Sequence, residues 1–200
     1  MILRAEVRQA KAIALLHRQT LTSSFLAKLG IGFLEALYTF LIKKEVVITY
    51  TEKGVLKGFV SSSANSSGMM KRFLYSCPVC IFRLLRKLIS SPQLFQRFIE
   101  TFTAPFKSKT SLTAGSKVIL PAAELLSISV DPACQATGIG SQLVKALEEQ
   151  LLQKGISSYK VIAGVSLESA NAFYKRNGFT LVSQVIIHGN ELSNIYIKEI

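Results

Sequence analysis

The most informative segment of this chain reads Val130-Asp-Pro-Ala-Cys-Gln-Ala-Thr-Gly-Ile-Gly140. Apolar and β-branched residues before it predict a strand from Ala123 to Val130, and apolar residues at three-and-four spacing after it predict a helix. A turn of this kind presents backbone N–H groups at the positive end of the helix dipole. Because Gly138 and Gly140 lack a Cβ, an anion such as a pyrophosphate could approach the backbone closely. From spacing alone, a simple glycine-assisted turn is an equally good interpretation.

Two common phosphate-binding motifs do not fit this segment. The dinucleotide fingerprint would need a third glycine where Leu143 stands. A P-loop would need Lys-Ser/Thr directly after Gly140, where Ser141-Gln stands instead. An anion bound here would therefore be held by neither of these two motifs.

The rest of the chain predicts a mixed α/β fold. Upstream, two helices joined near Leu29-Gly30 precede a hairpin of two strands, Glu45 to Tyr50 and Val55 to Ser62. Downstream, the predicted order is a helix closed by Lys154-Gly155, a strand (Tyr159 to Val165), a helix (Glu168 to Arg176) and two strands (Phe179 to Ile187 and Leu192 to Lys198). The order β-α-β-α-β-β indicates a sheet with helices packed against it.

Length and hydropathy limit the class of protein. The chain has 200 residues, enough for one well-buried domain. No window reaches the roughly 18 uninterrupted apolar residues of a membrane-spanning helix. Residues 1–19 also lack the compact apolar run of a signal peptide. We therefore expect a cytoplasmic protein.

The net charge of +12 suits a polyanionic partner, and it is concentrated in one segment. Residues 66–116 carry eight Lys and Arg against Glu100 alone, and Phe73 to Phe106 predicts two or three short amphipathic helices. No nucleic-acid-binding motif accompanies this charge, so we expect no nucleic-acid partner. The pair Cys77-Pro-Val-Cys80 lacks the two further ligands of a zinc site, so we expect no metal and unreactive thiols.

A second motif, near the C-terminus, helps to interpret the segment from Val130 to Gly140. It reads Asn171-Ala-Phe-Tyr174-Lys-Arg-Asn-Gly178-Phe179. Two features together resemble the GNAT superfamily of acetyl-CoA-dependent N-acetyltransferases. One is the loop Gln135-Ala-Thr-Gly138-Ile-Gly140, which follows a strand ending in Val-x-Pro, and the other is this second motif. The resemblance is strong over residues 123–200, weaker over the first 65 residues, and matches nothing in residues 66–117.

The resemblance implies an architecture for the whole chain. It implies a single GNAT-like domain over residues 1–200, with a mixed, mostly antiparallel central sheet flanked by helices. Residues 66–116 would be a basic helical insertion, and residues 123–200 would form the acetyl-CoA-binding core.

The resemblance also implies where acetyl-CoA binds as the cosubstrate. Backbone N–H groups from Ala136 to Ser141 would hold the pyrophosphate, and the end of the preceding strand would pair with the pantetheine amides in a gap beside the next strand. Asn171 and Tyr174, three apart on one helix face, would point at the pantetheine and the thioester. The implied cofactor-binding residues are Ile128, Ser129, Val130, Gln135, Ala136, Thr137, Gly138, Ile139, Gly140, Ser141, Asn171 and Tyr174.

Catalytic roles follow from the same resemblance. Tyr174 is the candidate general acid, because a phenol with a pKa near ~10 can protonate a leaving thiolate. Glu124 is the favoured general base, acting through a water, and His17 is a weaker candidate from the first helices. Backbone groups near Val130 would stabilise the oxyanion. Alternatively, Tyr174 packs in the core, and the carboxylate and the imidazole are ordinary structural groups.

Three positions depart from the family pattern. Many relatives carry a basic residue before the first loop glycine, where this chain has Ala136-Thr137; the Thr137 hydroxyl could still serve as a donor. Leu167 replaces an asparagine that many relatives carry seven residues before the helix tyrosine. Ile162 lies near the place of an acid found in some protein-acetylating members. These departures weaken the case for a protein N-terminal acetyltransferase.

We therefore predict an N-acetyltransferase that acts on a primary amine of a small molecule. A nucleotide- or lipid-linked amino sugar in surface polysaccharide synthesis is the first choice of acceptor, because the arginines of residues 66–116 suit phosphate groups. The alternatives are a protein lysine or N-terminal acetyltransferase and a non-catalytic CoA-binding regulatory module. Peripheral contact with an anionic membrane through residues 66–116 and a homodimer also stay open.

Overall fold

The computed structural model describes residues 1–22, 24–78, 119–187 and 191–200. The helices in these ranges are α1 (Ala10–Thr20), α2 (Phe25–Lys28), α3 (Ile31–Lys44), α4 (Met69–Ser76), α5 (Ile139–Leu152) and α6 (Glu168–Arg176). The strands are β1 (Ile2–Arg4), β2 (Val46–Glu52), β3 (Val55–Ser63), β4 (Glu124–Val130), β5 (Ser158–Gly164), β6 (Thr180–Ile187) and β7 (Glu191–Glu199). Short 3₁₀ turns lie at Val7–Gln9 and Pro132–Cys134.

The seven described strands form one sheet in the order β1-β2-β3-β4-β5-β7-β6. Every neighbouring pair is antiparallel except β4 and β5, which are parallel. A parallel pair needs a crossover connection, and α5 supplies it between β4 and β5. The prediction of a mixed, mostly antiparallel sheet flanked by helices is therefore confirmed.

Helices cover both faces of the sheet, and β3 shows how the faces are divided. Side chains alternate along a strand, so Phe59 packs in one apolar cluster and Val60 in the other. The Phe59 cluster contains residues of α1 to α4, and the Val60 cluster contains residues of α5 and α6. We call these the α1–α4 face and the α5–α6 face.

A β-bulge interrupts the pairing of β4 with β3. Ser61 lies opposite Ser127, and the next residue of β3, Ser62, lies opposite Leu125. Leu126 therefore has no counterpart in β3 and is the extra residue of the bulge. A bulge bends its strand and increases the local twist, so β4 changes direction at this point.

Beyond the bulge, β4 separates from β5. The paired residues are Glu124 with Lys160 and Leu125 with Val161. Residues 126–130 of β4 and residues 162–164 of β5, all described, do not pair with each other. We call the opening between these two segments the wedge. The gap that the family resemblance implied beside β4 is present in the fold.

The observed elements follow the predicted order with small shifts at their ends. The helix Glu168–Arg176 has the predicted bounds, and β1 was not predicted because three residues are too few to show a period. Of the helices predicted between Phe73 and Phe106, α4 covers the beginning, and residues 79–118 lie outside the described ranges. Cys77 is disulfide-bonded, so the expectation of a free, unreactive thiol is wrong there; Cys80 lies outside the described residues.

A helix that spans a bilayer must be both long and apolar. No helix within the described ranges is both long enough and apolar enough to span a membrane.

Leu143→Ala tests the packing of α5 against the sheet. Leu143 is fully buried, and its Cδ1 lies 3.1 Å from the position that a Cβ on Gly58 would occupy. Truncation removes these contacts, so we expect the free energy of unfolding to fall by about 2–5 kcal/mol. Leu152→Ala on the same helix is the matched control, because that side chain is 51% exposed. Urea unfolding measures both variants, and equal losses would contradict this description of the core.

Candidate active site

The N-terminus of α5 presents free backbone donors to solvent. Gly138 precedes the helix in the left-handed region with φ 83°, and the first intrahelical bond runs from Gln142 N to Gly138 O at 3.1 Å. The N–H groups of Ile139, Gly140 and Ser141 consequently have no acceptor within the helix. The first turn carries no acidic residue, and residues 135–138 are exposed. These features fit an anion, which the exposed donors and the helix dipole both stabilise.

Polar contacts fix the corner between β4 and α5. The Asp131 carboxylate accepts hydrogen bonds from Ala133 N at 3.0 Å and from Lys57 Nζ at 2.9 Å. The Lys57 ammonium holds the pKa of the Asp131 carboxyl below its usual value, with the Ala133 N–H adding to the effect. Thr137 donates its hydroxyl to Cys134 O at 2.6 Å, so in this arrangement the hydroxyl serves the turn itself.

Gly140 has a packing role that the sequence did not indicate. A Cβ at this position would lie 2.9 Å from Cε2 of Phe173. Glycine is thus required at this position because the Phe173 ring of α6 packs directly on the first turn of α5. The two sequence motifs, one containing Gly140 and the other Phe173, are therefore in contact through these two residues.

The wedge is lined on one side by the unpaired end of β4. Ile128 and Val130 are half-buried and pack at the edge of the α5–α6 cluster. Ser129 points to the opposite face, where its hydroxyl lies 2.5 Å from Thr20 Oγ1 of α1. The backbone of residues 126–130 is the part of β4 without a partner in β5, so it can pair with an extended amide-containing ligand.

Tyr174 lies in the aromatic cluster on the α5–α6 face. Its ring centroid is 5.5 Å from Phe173, 5.4 Å from Phe179 and 5.9 Å from Tyr196. The residue is 6% exposed, and burial raises the pKa of the phenol above its usual value. Within the described part of the chain, the phenol oxygen makes no hydrogen bond. Both the general-acid role and the packing role agree with this position.

Asn171 makes five hydrogen bonds within the protein. Its amide nitrogen donates to Gly164 O at 2.9 Å, Val165 O at 3.3 Å and Leu167 O at 2.8 Å. Its oxygen accepts from Asn194 Nδ2 at 2.8 Å and Tyr196 Oη at 2.9 Å. The side chain holds the turn between β5 and α6 in place, a role that sequence analysis missed. The contact predicted between Asn171 and the pantetheine stays a prediction.

Glu124 lies at the narrow end of the wedge and pairs with Lys160, a contact that the sequence analysis did not predict. Lys160 Nζ is 3.3 Å from its carboxylate, and the two residues are also paired in the β4–β5 register. Lys160 further donates to Ser66 Oγ at 3.1 Å and Pro121 O at 2.7 Å. The side chains of Glu124 and Lys160 are 19% and 12% exposed, so a solvent molecule can reach the carboxylate.

His17 lies in the interior of the α1–α4 face, 2% exposed and stacked on Phe59. Its Nδ1 is 2.6 Å from Tyr38 Oη and its Nε2 is 3.4 Å from Ser24 Oγ. Burial lowers the pKa of the imidazole to about 4, so the ring is neutral at pH 7. No hydrophobic periodicity in the sequence indicated the contact with Tyr38, which lies 21 residues away.

The fold therefore places the donors of α5, the wedge, Tyr174 and Glu124 along one strand and its flanking helices. Among the described residues, no group of three or more His, Cys, Asp and Glu could bind a metal ion. A strand that opens from its parallel neighbour next to the exposed N-terminus of a helix is the arrangement of the GNAT fold.

Comparison with known proteins agrees with this class. Residues 109–181 match the family model described as an acetyltransferase (GNAT) domain. The matched part of the chain is similar to GNAT acetyltransferases, which are acyltransferase enzymes. No curated protein matches the chain in sequence.

Solved structures share the fold over the whole chain. A crystal structure described as an acetyltransferase matches with a TM-score of 0.62 and 20% identity, covering 100% of this chain and 98% of its own. An N-acetyltransferase from Staphylococcus aureus Mu50 matches with a TM-score of 0.61 and 17% identity, covering 100% and 97%. An aminoglycoside 6'-acetyltransferase type Ii matches with a TM-score of 0.62 and 12% identity, covering 100% and 96%. At these identities the likeness shows the fold alone.

Gly140→Ala tests the contact between the two motifs. The added methyl group would meet the Phe173 ring at 2.9 Å, so we expect the free energy of unfolding to fall by about 1–3 kcal/mol. In a Phe173→Leu background the penalty should shrink, because the smaller side chain leaves room. Gly164→Ala is the control, since its nearest contact would be an ordinary 3.6 Å. Equal penalties in both backgrounds, measured by urea unfolding, would contradict the steric explanation.

Proposed function

We propose that this protein transfers the acetyl group of acetyl-CoA to a primary amine of a small molecule. The observation that carries the proposal is the adjacency of two features along β4. Its end leads directly into the exposed donors of α5, and its unpaired segment forms one side of the wedge. A ligand with a diphosphate at one end and an extended diamide arm at the other matches both features.

Acetyl-CoA binding is proposed for the residues that sequence analysis named. The N–H groups of Ile139, Gly140 and Ser141, with those of residues 135–138, would hold the pyrophosphate. The backbone of Ile128 to Val130 would pair with the pantetheine amides as an added strand. The exposure of this loop and the lack of acidic residues in the first turn of α5 support the assignment.

Tyr174 would donate the proton that the sulfur needs as the C–S bond breaks. Burial raises the pKa of the phenol, so the residue carries its proton at neutral pH. The same desolvation would raise the pKa of a thiolate formed beside it, which keeps donor and acceptor matched. Acetyl-CoA supplies the activated acyl group, and backbone N–H groups near Val130 would stabilise the oxyanion of the tetrahedral intermediate.

Glu124 would prepare the acceptor amine. Most primary amines are protonated at pH 7 and must lose one proton before they can attack. The Glu124 carboxylate is accessible at the narrow end of the wedge, and it would remove this proton through a water. Lys160 would orient the carboxylate through its bonds to Ser66 and Pro121.

An amino sugar linked to a nucleotide or a lipid is the acceptor that we favour. The support is the excess of Lys and Arg in residues 66–116, which suits phosphate groups. Screening acetyl-CoA-dependent thiol release across amino sugars, polyamines, aminoglycosides and lysine peptides separates this acceptor class from the others. Selective turnover of lysine peptides would replace the small-molecule assignment.

Calorimetry with CoA and pantetheine tests the binding site. We expect CoA to bind with a dissociation constant of about 1–100 μM, more weakly at high salt, and pantetheine to bind at least tenfold more weakly because it lacks the pyrophosphate. Gly138→Val should weaken CoA binding, since valine does not tolerate the φ of 83°.

Gly155→Val is the matched control for this binding test, because Gly155 has a φ of 71° just past the other end of the same helix. Both changes introduce similar backbone strain, yet only the first alters the donors. A protein that binds neither CoA nor acetyl-CoA, or that binds pantetheine as tightly as CoA, would refute the site.

Tyr174→Phe tests the general acid. Loss of the hydroxyl should lower kcat by about 100-fold, while the affinity for CoA stays within about twofold. Tyr50→Phe is the control, because Tyr50 lies on β2, away from the wedge. A kcat equal to that of the unmodified chain would mean that Tyr174 serves packing alone. Normal CoA binding without turnover of any amine in the unmodified chain would favour a CoA-binding regulatory module.

A further inference from the structure

A continuous chain of hydrogen bonds crosses the interior of the α1–α4 face. Ser61 Oγ lies 2.7 Å from Ser127 Oγ, which lies 3.0 Å from Tyr38 Oη. Tyr38 Oη lies 2.6 Å from His17 Nδ1, and His17 Nε2 lies 3.4 Å from Ser24 Oγ. Four elements of the fold, β3, β4, α3 and α1, and the N-cap of α2 contribute to this chain.

The chain reaches the unpaired segment of β4 at Ser127. Ser127 follows the bulge residue Leu126 and lies in the segment of β4 that has left β5. Ser127 is half-exposed, whereas Tyr38 and His17 are 1% and 2% exposed. Ser24 at the other end is again half-exposed. Tyr38 and His17 are thus shielded from water, whereas Ser127 and Ser24, on either side of them, are partly exposed.

The donors of the chain can all point in one direction. Burial keeps His17 neutral and raises the pKa of Tyr38, so each group carries one exchangeable proton. The 2.6 Å contact fits the phenol O–H donating to Nδ1, and the longer contact fits Nε2–H donating to Ser24. The Ser127 hydroxyl then donates to Tyr38. In this direction the Ser127 oxygen is ready to receive a proton from the wedge side.

Acetyl transfer to an amine releases two protons from nitrogen. The first leaves the ammonium before attack, and the proposed function assigns it to Glu124. The second leaves the nitrogen after the N–C bond forms and the C–S bond breaks. Glu124, paired with Lys160 at 3.3 Å, takes the first proton, and the chain of hydrogen bonds offers the second proton a separate route away from β4.

We propose that Ser127 receives this second proton and that Tyr38 and His17 pass it on. As the nitrogen proton moves to Ser127 Oγ, the Ser127 proton moves to Tyr38 and the Tyr38 proton to His17 Nδ1. The Nε2 proton of the transient imidazolium then leaves through Ser24 to solvent, while Tyr174 recovers its own proton from solvent. Ser127 is the catalytic residue of this relay, because it would meet the substrate, and Tyr38 and His17 act through it by carrying the proton onward. This inference rests on the proposed function.

Glu124 and Ser127 lie on the same face of β4. Glu124 lies opposite Ser63, and Ser127 lies opposite Ser61, two residues apart on β3. Residues two apart on a strand share a face, and cross-strand partners do so as well. Both proton acceptors therefore belong to the α1–α4 face of β4, on either side of the bulge.

The first test compares kcat with binding. Ser127→Ala and Tyr38→Phe should each lower kcat by about 100-fold with the amine that the screen identifies as the best acceptor. The CoA dissociation constant and the acceptor KM should stay within about twofold. Tyr50→Phe is again the control. Loss of stability without loss of kcat in the folded protein would overturn the relay and leave a structural network.

His17→Asn separates proton transfer from positioning. The asparagine amide oxygen can accept a hydrogen bond from Tyr38, but it does not take up a proton at neutral pH. In His17→Phe the side chain neither accepts a hydrogen bond nor takes up a proton. We expect kcat of His17→Asn to be as low as kcat of His17→Phe. Recovery of kcat to near the unmodified value would show that the imidazole only orients Tyr38, and would overturn proton transfer through it.

Nitrogen NMR provides a readout that needs no acceptor. The sequence has two histidines, so His188→Asn leaves the imidazole of His17 as the one signal. We expect an unprotonated Nδ1 and a protonated Nε2 at pH 7, with the Nδ1 resonance shifting in Tyr38→Phe. A protonated Nδ1 would reverse the direction of the chain and overturn the proposal.

Failure of the relay and failure of the proposed function are distinguishable. If the unmodified protein binds CoA and acetylates an amine, and all three relay variants turn over normally, the relay alone is wrong. If the unmodified protein does not bind CoA, or binds it without turnover of any amine, the proposed acetyl transfer fails and the relay fails with it.

Discussion

The candidate active site depends on the short parallel pairing of β4 with β5. Two residue pairs join these strands, and the bulge at Leu126 then turns β4 away. Backbone groups released in this way would cost free energy if they were buried without partners. Their position at an opening, next to the free donors of α5, explains why they persist there and why an amide-bearing ligand is the natural complement.

The surrounding contacts hold the two sides of this opening in place. On one side, Asp131 binds Lys57 and Ala133, which fixes the corner from which α5 begins. On the other side, five hydrogen bonds to Asn171 fix the turn from which α6 begins. Direct packing of Phe173 on Gly140 then joins the two helices. The loop that leads into α5 and the helix that carries Tyr174 are thus positioned relative to each other by packing.

Local patterns were sufficient to predict most of the fold. The helix Glu168–Arg176 and the hairpin of β2 and β3 have strong periodicity and clear turn residues, so their prediction needed no tertiary information. The two motifs likewise named a candidate anion loop and Tyr174 without tertiary information, and the roles of both stay predictions. β1 was missed because its three residues gain their structure from pairing with β2, about 46 residues later in the chain.

The polar contacts of the site could not be predicted in this way. Lys160 approaches Glu124 because two strands separated by a helix are neighbours, and Tyr38 approaches Ser127 across 89 residues of sequence. Such contacts depend on strand order and register, which have no local signature. The packing role of Gly140 was not predicted for the same reason: the atom that a Cβ would meet belongs to another helix.

The bulge at Leu126 also changes how polar residues are spaced along β4. In a regular strand, residues three apart point to opposite faces, so a carboxylate at 124 and a hydroxyl at 127 would be separated by the sheet. The extra residue shifts the alternation by one and brings both groups to one face. Two polar groups at an odd spacing along a strand can thereby lie on the same side of the sheet. Deleting Leu126 would leave the two groups two apart on a regular strand and still on one face, but it would remove the bend with which β4 turns away from β5.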